Sequence, residues 1–472
     1  MGARDRGLAR ADRIARGLWP ARQGGAHVTK PIVAVIGRPN VGKSTLFNRL
    51  IGKPLAIVHD QPGVTRDRHY ADASVYEREY TLVDTGGFDP GGDDEMKHGI
   101  IRQLEAAIEE ADVILCVLDA TAPPSSVDSE EVTLLRRTSK PVLYLANKAD
   151  TAREETASHD LYRLGMDRII PVSAIHGRGF DELERTLVDA LPPEEAQEEE
   201  SDGASKPLAV AVIGKPNAGK SSLINRLLGE ERMLVDSRPG TTRDTIDSVV
   251  SRGGRRYQFV DTAGLRRKSK VVKGNDTVEA ISVMRAIRAI DRAEVVVLLF
   301  DAAEGIAEQD AKILGLAVDR GRAIVIGLNK VDLLDRDEVK KAEERARDVL
   351  AFASWAELTT LSAKTGRGVD KLLKVVDGVA EAFRKRVRTA ELNRFFDTVL
   401  MTHPPPTHGG RAPRFYYITQ AGVAPPTFAI STNHPEYIHF SYQRYVSNAI
   451  RKEFEFRGVP LRVFYRAKKR RS

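Results

Sequence analysis

The chain has 472 residues, 42% of them hydrophobic and 29% charged. It is too long for one ordinary domain and has the composition of a protein with sizeable cores. Its longest apolar runs, such as Val295–Phe300, fall far short of the roughly 20 residues a membrane-spanning helix needs, and the single cysteine, Cys116, cannot close an internal disulfide. The net charge of +7 is unevenly spread: residues 384–472 carry 17 Lys/Arg against 5 Asp/Glu, a net +12, so the rest of the chain is acidic at about −5.

Residues 1–30 are Arg-rich with no apolar core, which is not the pattern of a secretory signal, and are expected to form a disordered extension. Over 31–191, β-rich apolar runs at Ile32–Ile36, Tyr80–Val83, Val113–Leu118, Val142–Ala146 and Ile169–Val172 alternate with helical patterns. That alternation predicts a doubly wound α/β domain with a mostly parallel sheet, and it makes Cys116 a buried strand residue. Residues 192–206, acidic and containing Gly and Ser, read as a flexible linker. Residues 207–383 repeat the first domain. Gly37 returns as Gly214, Pro62-Gly-Val-Thr-Arg-Asp67 as Pro239-Gly-Thr-Thr-Arg-Asp244 and Asp84 as Asp261, always 177 residues on. Asn147 returns as Asn329 at 182, and Ser173 as Ser362 at 189. A constant offset followed by small insertions marks a duplicated domain. Residues 384–467 predict a small α+β domain. It has a helix before Pro404-Pro-Pro406, strands at Phe415–Thr419 and Thr427–Ser431, a helix over Tyr442–Phe456, a last strand at Leu461–Tyr465, and a basic tail over 468–472.

The strongest motif is Gly-x-x-x-x-Gly-Lys-Ser, at Gly37–Ser44 and Gly214–Ser221, each copy between a strand run and a helical pattern. Its glycines let backbone N–H groups and a helix N-terminus face anionic oxygens. This makes Gly37, Asn40, Gly42, Lys43, Ser44 and Thr45, and likewise Gly214, Asn217, Gly219, Lys220, Ser221 and Ser222, phosphate-binding candidates. Lys43 and Lys220 would reach the β/γ-phosphates, and Ser44 and Ser221 would ligate Mg²⁺. Asp84 and Asp261 each end a strand run and open Asp-Thr-x-Gly. Their carboxylates would hold Mg²⁺ while Gly87 and Gly264 sense the γ-phosphate, and Thr65 and Thr242 would close over it. Asn147-Lys148-Ala-Asp150 and Asn329-Lys330-Val-Asp332 select the base. An aspartate accepts two hydrogen bonds from guanine N1–H and its amine, a donor pair adenine lacks. Ser173-Ala174 and Ser362-Ala363-Lys364 supply a further loop against guanine. Two departures from Ras-type sites bear on mechanism. Phe88 and Leu265 stand where Ras-like enzymes orient water with Gln. Asn40 and Asn217, in the middle of the phosphate loops, either ligate K⁺ or shape the turn.

The paired motif sets, the acidic linker and the basic C-terminal part resemble the Der (EngA) family of bacterial tandem GTPases over about residues 31–467. Specific signs are Gly-Arg-Pro-Asn-Val-Gly-Lys-Ser, Gly-Lys-Pro-Asn-Ala-Gly-Lys-Ser, Tyr417-Ile-Thr-Gln420, Pro425-Pro-Thr-Phe428 and His439-Phe-Ser-Tyr-Gln-Arg-Tyr445. The resemblance implies a K⁺-stimulated GTPase that assists late assembly of the large ribosomal subunit, with a KH-like last domain that contacts ribosomal RNA. The family pattern has no counterpart of the 30-residue leader, and the segment His408–Pro413 is less basic than expected there. No Gly-x-x-Gly loop of a typical KH domain is present, so phosphate binding is expected rather than base reading. Among the C-terminal aromatics, Phe415, Tyr416, Tyr417, Tyr437, Phe440, Tyr442, Tyr445, Phe454, Phe456, Phe464 and Tyr465, most are expected in the core. The histidines at 403, 408, 434 and 439 lack metal-ligand spacing.

Two function classes remain. One is a cytoplasmic assembly GTPase, monomeric off the ribosome and without a membrane partner. The other is a signalling-type switch whose C-terminal domain binds a protein effector. The +12 charge favours the first, because a protein effector needs no such field.

Overall fold

In a computed structural model, residues 30–52, 70–76, 78–84, 108–151, 158–193, 207–229, 247–260, 275–306, 308–406 and 413–467 are described. The N-terminal extension, most of the acidic linker, Thr65, Gly87, Phe88, Thr242, Asp261, Gly264, Leu265, residues 408–411 and the basic tail lie outside the described residues. The described residues fall into two compact units, 30–193 with 275–291, and 207–260 with 292–467.

The first unit is built on six strands, β1 (Ile32–Ile36), β2 (Tyr70–Val75), β3 (Arg78–Asp84), β4 (Val113–Asp119), β5 (Val142–Asn147) and β6 (Ile169–Pro171). Their order is β2-β3-β1-β4-β5-β6, parallel except for the β2–β3 pair. The β1 and β4 side chains are all buried, as strands covered on both faces require. Cys116 sits among them, and burial pushes its thiol well above the usual range. Helix α1 (Lys43–Ile51) follows β1. Helix α2 (Ser126–Leu135) opens with a capping box in which Ser125 and Asp128 satisfy each other's backbone N–H, and α3 (Phe180–Ala190) buries Leu183 and Leu187 against the sheet.

The second unit repeats this plan. Helix α4 (Lys220–Gly229) follows β7 (Leu208–Ile213), then come β8 (Ser248–Arg252) and β9 (Arg255–Phe259). Helix α5 (Asn275–Arg292) groups with the first unit up to residue 291 although it belongs to the second repeat in sequence. Next are β10 (Val295–Asp301), α6 (Glu308–Asp319), β11 (Ala323–Asn329), α7 (Arg336–Val349), β12 (Glu357–Thr360) and α8 (Val369–Arg384). The sheet order β12-β11-β10-β7-β9-β8 is the first order read from its other edge, with β8–β9 again the one antiparallel pair.

The C-terminal segment is α9 (Thr389–Thr402), β13 (Phe415–Gly422), β14 (Thr427–Thr432), α10 (Phe440–Glu453) and β15 (Arg462–Ala467). Its three-stranded sheet has β13 and β14 antiparallel and β14 and β15 parallel. This small α+β domain does not keep a core to itself. One hydrophobic cluster runs from Val210 and Val325 through Val376, Phe383 and Val387 to Phe396, Phe428 and Ile450. Backbone bonds cross the junction as well: Ile324 N–H donates to Gly458 O (2.7 Å) and Gly458 N–H to Trp355 O (3.0 Å). Gln420 holds the joint, accepting from Val387 N–H and donating to Lys385 O.

Six of the eleven C-terminal aromatics lie in or against the core, in line with the expectation for most of them. Tyr442, Phe454 and Phe456 are buried, and Phe415, Tyr445 and Tyr465 pack against the core, while Tyr416 and Phe440 are exposed. Tyr416 alternates outward between the half-buried Phe415 and Tyr417 of β13, and Phe440 is the first residue of α10.

Candidate guanine-nucleotide sites

The two phosphate loops share one geometry. Gly42 and Gly219 sit immediately before α1 and α4 with φ of +93° and +96°. A Cβ there would lie 2.3 Å from Asn147 Nδ2 and 2.1 Å from Asn329 Nδ2, so both the backbone conformation and the close approach require glycine. Lys43 Nζ donates to Gly37 O (2.6 Å) and Arg38 O (2.8 Å), and Lys220 Nζ to Gly214 O and Lys215 O (both 2.6 Å). Each lysine is thus parked on the loop it serves, and burial pushes the Lys220 ammonium down to about 8. Ser44 Oγ donates to Asp84 Oδ2 at 3.0 Å, and Asp84 is buried at the end of β3. A hydroxyl and a carboxylate converging there fit Mg²⁺, a hard cation that takes oxygen ligands. Ser221 stands in the matching place on α4. Asn40 and Asn217 are exposed, both with φ of +66°, a left-handed conformation that asparagine tolerates better than most residues.

Asn147 and Asn329 end the interior strands β5 and β11, each next to an edge strand, and act as hubs. Asn147 Nδ2 donates to Val41 O (2.8 Å) while its Oδ1 accepts from Ala174 N–H (3.0 Å). Asn329 does the same with Ala218 O and Ala363 N–H, both at 2.8 Å. Each buried amide therefore ties the phosphate loop to the base loop. Ser173 Oγ donates to Asp150 Oδ1 at 2.5 Å, and a hydrogen bond from Ser362 holds the Asp332 carboxyl below the usual range. Lys148 and Lys330 pair at 2.6 Å with Asp119 and Asp301 at the ends of β4 and β10. Burial alone would raise Asp119, but hydrogen bonds from Lys148 and Thr121 outweigh it and lower it. Lys364 lies in the same loop as Ala363 and gives its carbonyl to Arg226. In the first half these residues surround a cavity of about 570 Å³ lined by Asn40, Lys43, Ser44, Thr45, Asn147, Lys148, Asp150 and Ala174 among others.

Three kinds of supporting contact escaped the motif reading. Asp119 and Asp301 hold the lysines. Arg38 Nε lies 3.4 Å from Asp128 Oδ1, and Lys215 Nζ lies 3.4 Å from Asp310 Oδ2, each acid buried in the first turn of α2 or α6. Arg49 and Arg226 reach from α1 and α4 to the base loops. The signal was present in the repeat: Arg49 and Arg226 keep the 177 offset, and Asp119/Asp301 and Asp128/Asp310 keep 182. One feature is not duplicated. Glu131 is buried behind the first phosphate loop at 3% exposure, whereas the matching position three residues after Asp310 is Ile313. Burial, then the nearby Asp128 charge, pushes Glu131 up to about 7.

Known proteins match along the whole described architecture. A family model for the "50S ribosome-binding GTPase" matches residues 32–148 and 209–330, and a model for the "KH-domain-like of EngA bacterial GTPase enzymes, C-terminal" matches 386–466. The GTPase Der of Moorella thermoacetica is 46% identical over 439 residues, covering 93% of this chain and 98% of that protein. The GTPase Der of Desulforamulus reducens is 47% identical over 439 residues, with the same coverage of 93% and 98%. A solved structure of Era in complex with MgGDPNP and a 16S ribosomal RNA segment is 20% identical, with a TM-score of 0.28 over 55% of this chain and 92% of that one. With two GTPase repeats of one topology, a KH-like C-terminal domain, and relatives matched over nearly their full length, the chain belongs to the Der (EngA) family of tandem GTPases.

Proposed function

We propose that this GTPase is a ribosome-assembly factor of the cytoplasm, acting in late maturation of the large subunit. In this reading it binds the subunit and its ribosomal RNA with GTP bound and leaves as a monomer after hydrolysis. The observation that carries the reading is the fusion of a basic domain to the second nucleotide site. The strand that ends in Asn329 is tied near its start by the hydrogen bond from Ile324 to Gly458, inside one core shared with the segment of net charge +12. A cationic surface tied to a GTP site suits a polyanion whose capture depends on nucleotide state. The family model's own description, a GTPase that binds the 50S ribosome, agrees with it.

In each site the Asp150 or Asp332 carboxylate pairs with guanine, and Asn147 or Asn329 holds base loop and phosphate loop in register. Lys43 and Lys220 leave their loop carbonyls for the β/γ-phosphates. Ser44 with Asp84, and Ser221 with Asp261, would hold Mg²⁺, which would neutralise phosphate charge when bound. Thr65, Thr242, Gly87 and Gly264 would close over the γ-phosphate. Phe88 and Leu265 cannot orient water by hydrogen bonding, and in this reading the Asn40 and Asn217 side-chain oxygens would hold K⁺, which would supply positive charge to the reaction.

Pelleting of the purified chain with large ribosomal subunits tests this, comparing a non-hydrolysable GTP analogue with GDP over a range of salt concentrations. Binding that requires the analogue and falls steeply with salt is expected. No subunit binding in any nucleotide state would overturn the assembly role and move the search to a protein effector.

A further inference from the structure

Six residues after each phosphate-loop lysine stands an arginine, Arg49 after Lys43 and Arg226 after Lys220. Both lie in the last turn of the helix that the phosphate loop opens. Neither points back toward the phosphates. Arg49 Nε donates to Ala174 O and its Nη2 to Ile175 O. Arg226 repeats the pattern, with Nε to Ala363 O at 2.7 Å and Nη2 to Lys364 O. In both halves, two parallel N–H groups of one guanidinium hold two successive carbonyls of the base loop.

The slot for the guanidinium is built in both copies. Gly177 and Gly366, each four residues after the loop serine, have φ of +77° and +88°. A Cβ on Gly177 would lie 2.6 Å from Arg49 Nη1, and one on Gly366 would lie 2.9 Å from Arg226 Nη1. The glycines leave room for the planar group to lie flat against the loop. In the first half the Phe180 ring lies 5.7 Å below the Arg49 guanidinium.

The carbonyls held are those of Ala174 and Ala363, whose N–H groups donate to Asn147 and Asn329. The base loop is thus gripped on both sides, by a strand-end amide on its N–H side and by an arginine from the phosphate helix on its carbonyl side. Ala174 and Ile175 line the first nucleotide cavity. We infer that Arg49 and Arg226 are positioning residues that set guanine discrimination by fixing the base loop to the phosphate-binding helix. A lysine keeps the charge but has a point-like head that cannot satisfy both carbonyls in one plane.

The inference rests on the guanine-site reading, and the experiment separates the two. Full-length chain carrying Lys220→Ala reports on the first site alone. In that background Arg49→Lys is compared with Arg49 for affinity to GDP, ADP and inorganic pyrophosphate, with the melting temperature followed alongside. Loss of one charge-assisted hydrogen bond gives an expected weakening of GDP binding of roughly tenfold or more, with pyrophosphate affinity unchanged and the melting temperature lowered only slightly, so that the protein stays folded at the temperature of the titration. Equal loss of GDP and pyrophosphate, or unchanged GDP affinity, overturns the inference. A parent that binds ADP as well as GDP overturns instead the guanine-site reading beneath it. Arg226→Lys in a Lys43→Ala background asks the same question of the second site, so a folding failure in one half leaves the other to decide.

Discussion

Glu131 is the residue by which the first half departs most sharply from its duplicate, and replacing it with methionine should stabilise the first domain in a pH-dependent way. Its carboxyl is buried in α2 beside Asp128, with Arg38 and Lys43 of the phosphate loop and Cys116 of β4 as its other ionisable neighbours. In the unfolded chain it titrates near 4.5, and in the folded domain near 7. Between those values the folded form keeps a proton that the unfolded form releases, so stability falls as pH rises from about 4.5 and levels off above about 7. The whole step corresponds to about 3 kcal/mol. Glu131→Met lacks the titration and keeps the volume. Its advantage over the parent should be absent near pH 4.5, grow through pH 6 and reach about 3 kcal/mol by pH 8. Hydrogen-exchange protection of the β4 peptide, Val113–Asp119, corrected for intrinsic exchange and compared at pH 5, 6.5 and 8, measures it. A stability difference that does not change with pH, or a parent more protected than the variant at pH 8, would refute the reasoning.

Asn329→Ala removes an amide that serves Ala218 O and Ala363 N–H at once; GDP affinity of the second site should fall about a hundredfold, two buried hydrogen bonds' worth, in calorimetric titration. Gly458→Val forces a left-handed residue (φ +67°) against Val379, 2.4 Å from the new Cβ; it should destabilise the second unit by more than about 2 kcal/mol, seen as a lower melting temperature with first-site GDP binding intact. Replacing K⁺ by Na⁺ at constant ionic strength should slow GTP hydrolysis severalfold if Asn40 and Asn217 ligate the ion, and equal rates in the two salts would remove that assignment.

Much of the fold was legible because the chain states it twice. The glycine loops, the fully buried β1, β4, β10 and β11, and the Asn-Lys-x-Asp strand ends all fall where the alternation of apolar runs put them. The edge strand β2 (Tyr70–Val75) was missed. Its sequence, Tyr-Ala-Asp-Ala-Ser-Val, mixes polar with small residues because an antiparallel edge buries only part of one face. The boundary drawn near residue 384 was legible as a change in charge, but not the continuity of the core across it. Phe383, Val387 and Leu392 pack with Phe428 and Ile450, more than 35 residues away, and local periodicity carries no such information. The motifs named residues that line the cavity of the first half. The residues behind them, such as Asp119 under Lys148 and Arg49 under the base loop, touch partners 29 and about 125 residues away and show only as matched offsets in the repeat.

The most direct measurement is a nucleotide count. Calorimetric titration of the full chain with GDP should give two sites per chain, and Asp150→Asn and Asp332→Asn should each reduce the count to one while restoring it to two when xanthosine diphosphate is added, since an amide pairs with the xanthine edge. One GDP per chain in the parent, or a count unmoved by either substitution, would contradict the assignment of a complete guanine site to each half.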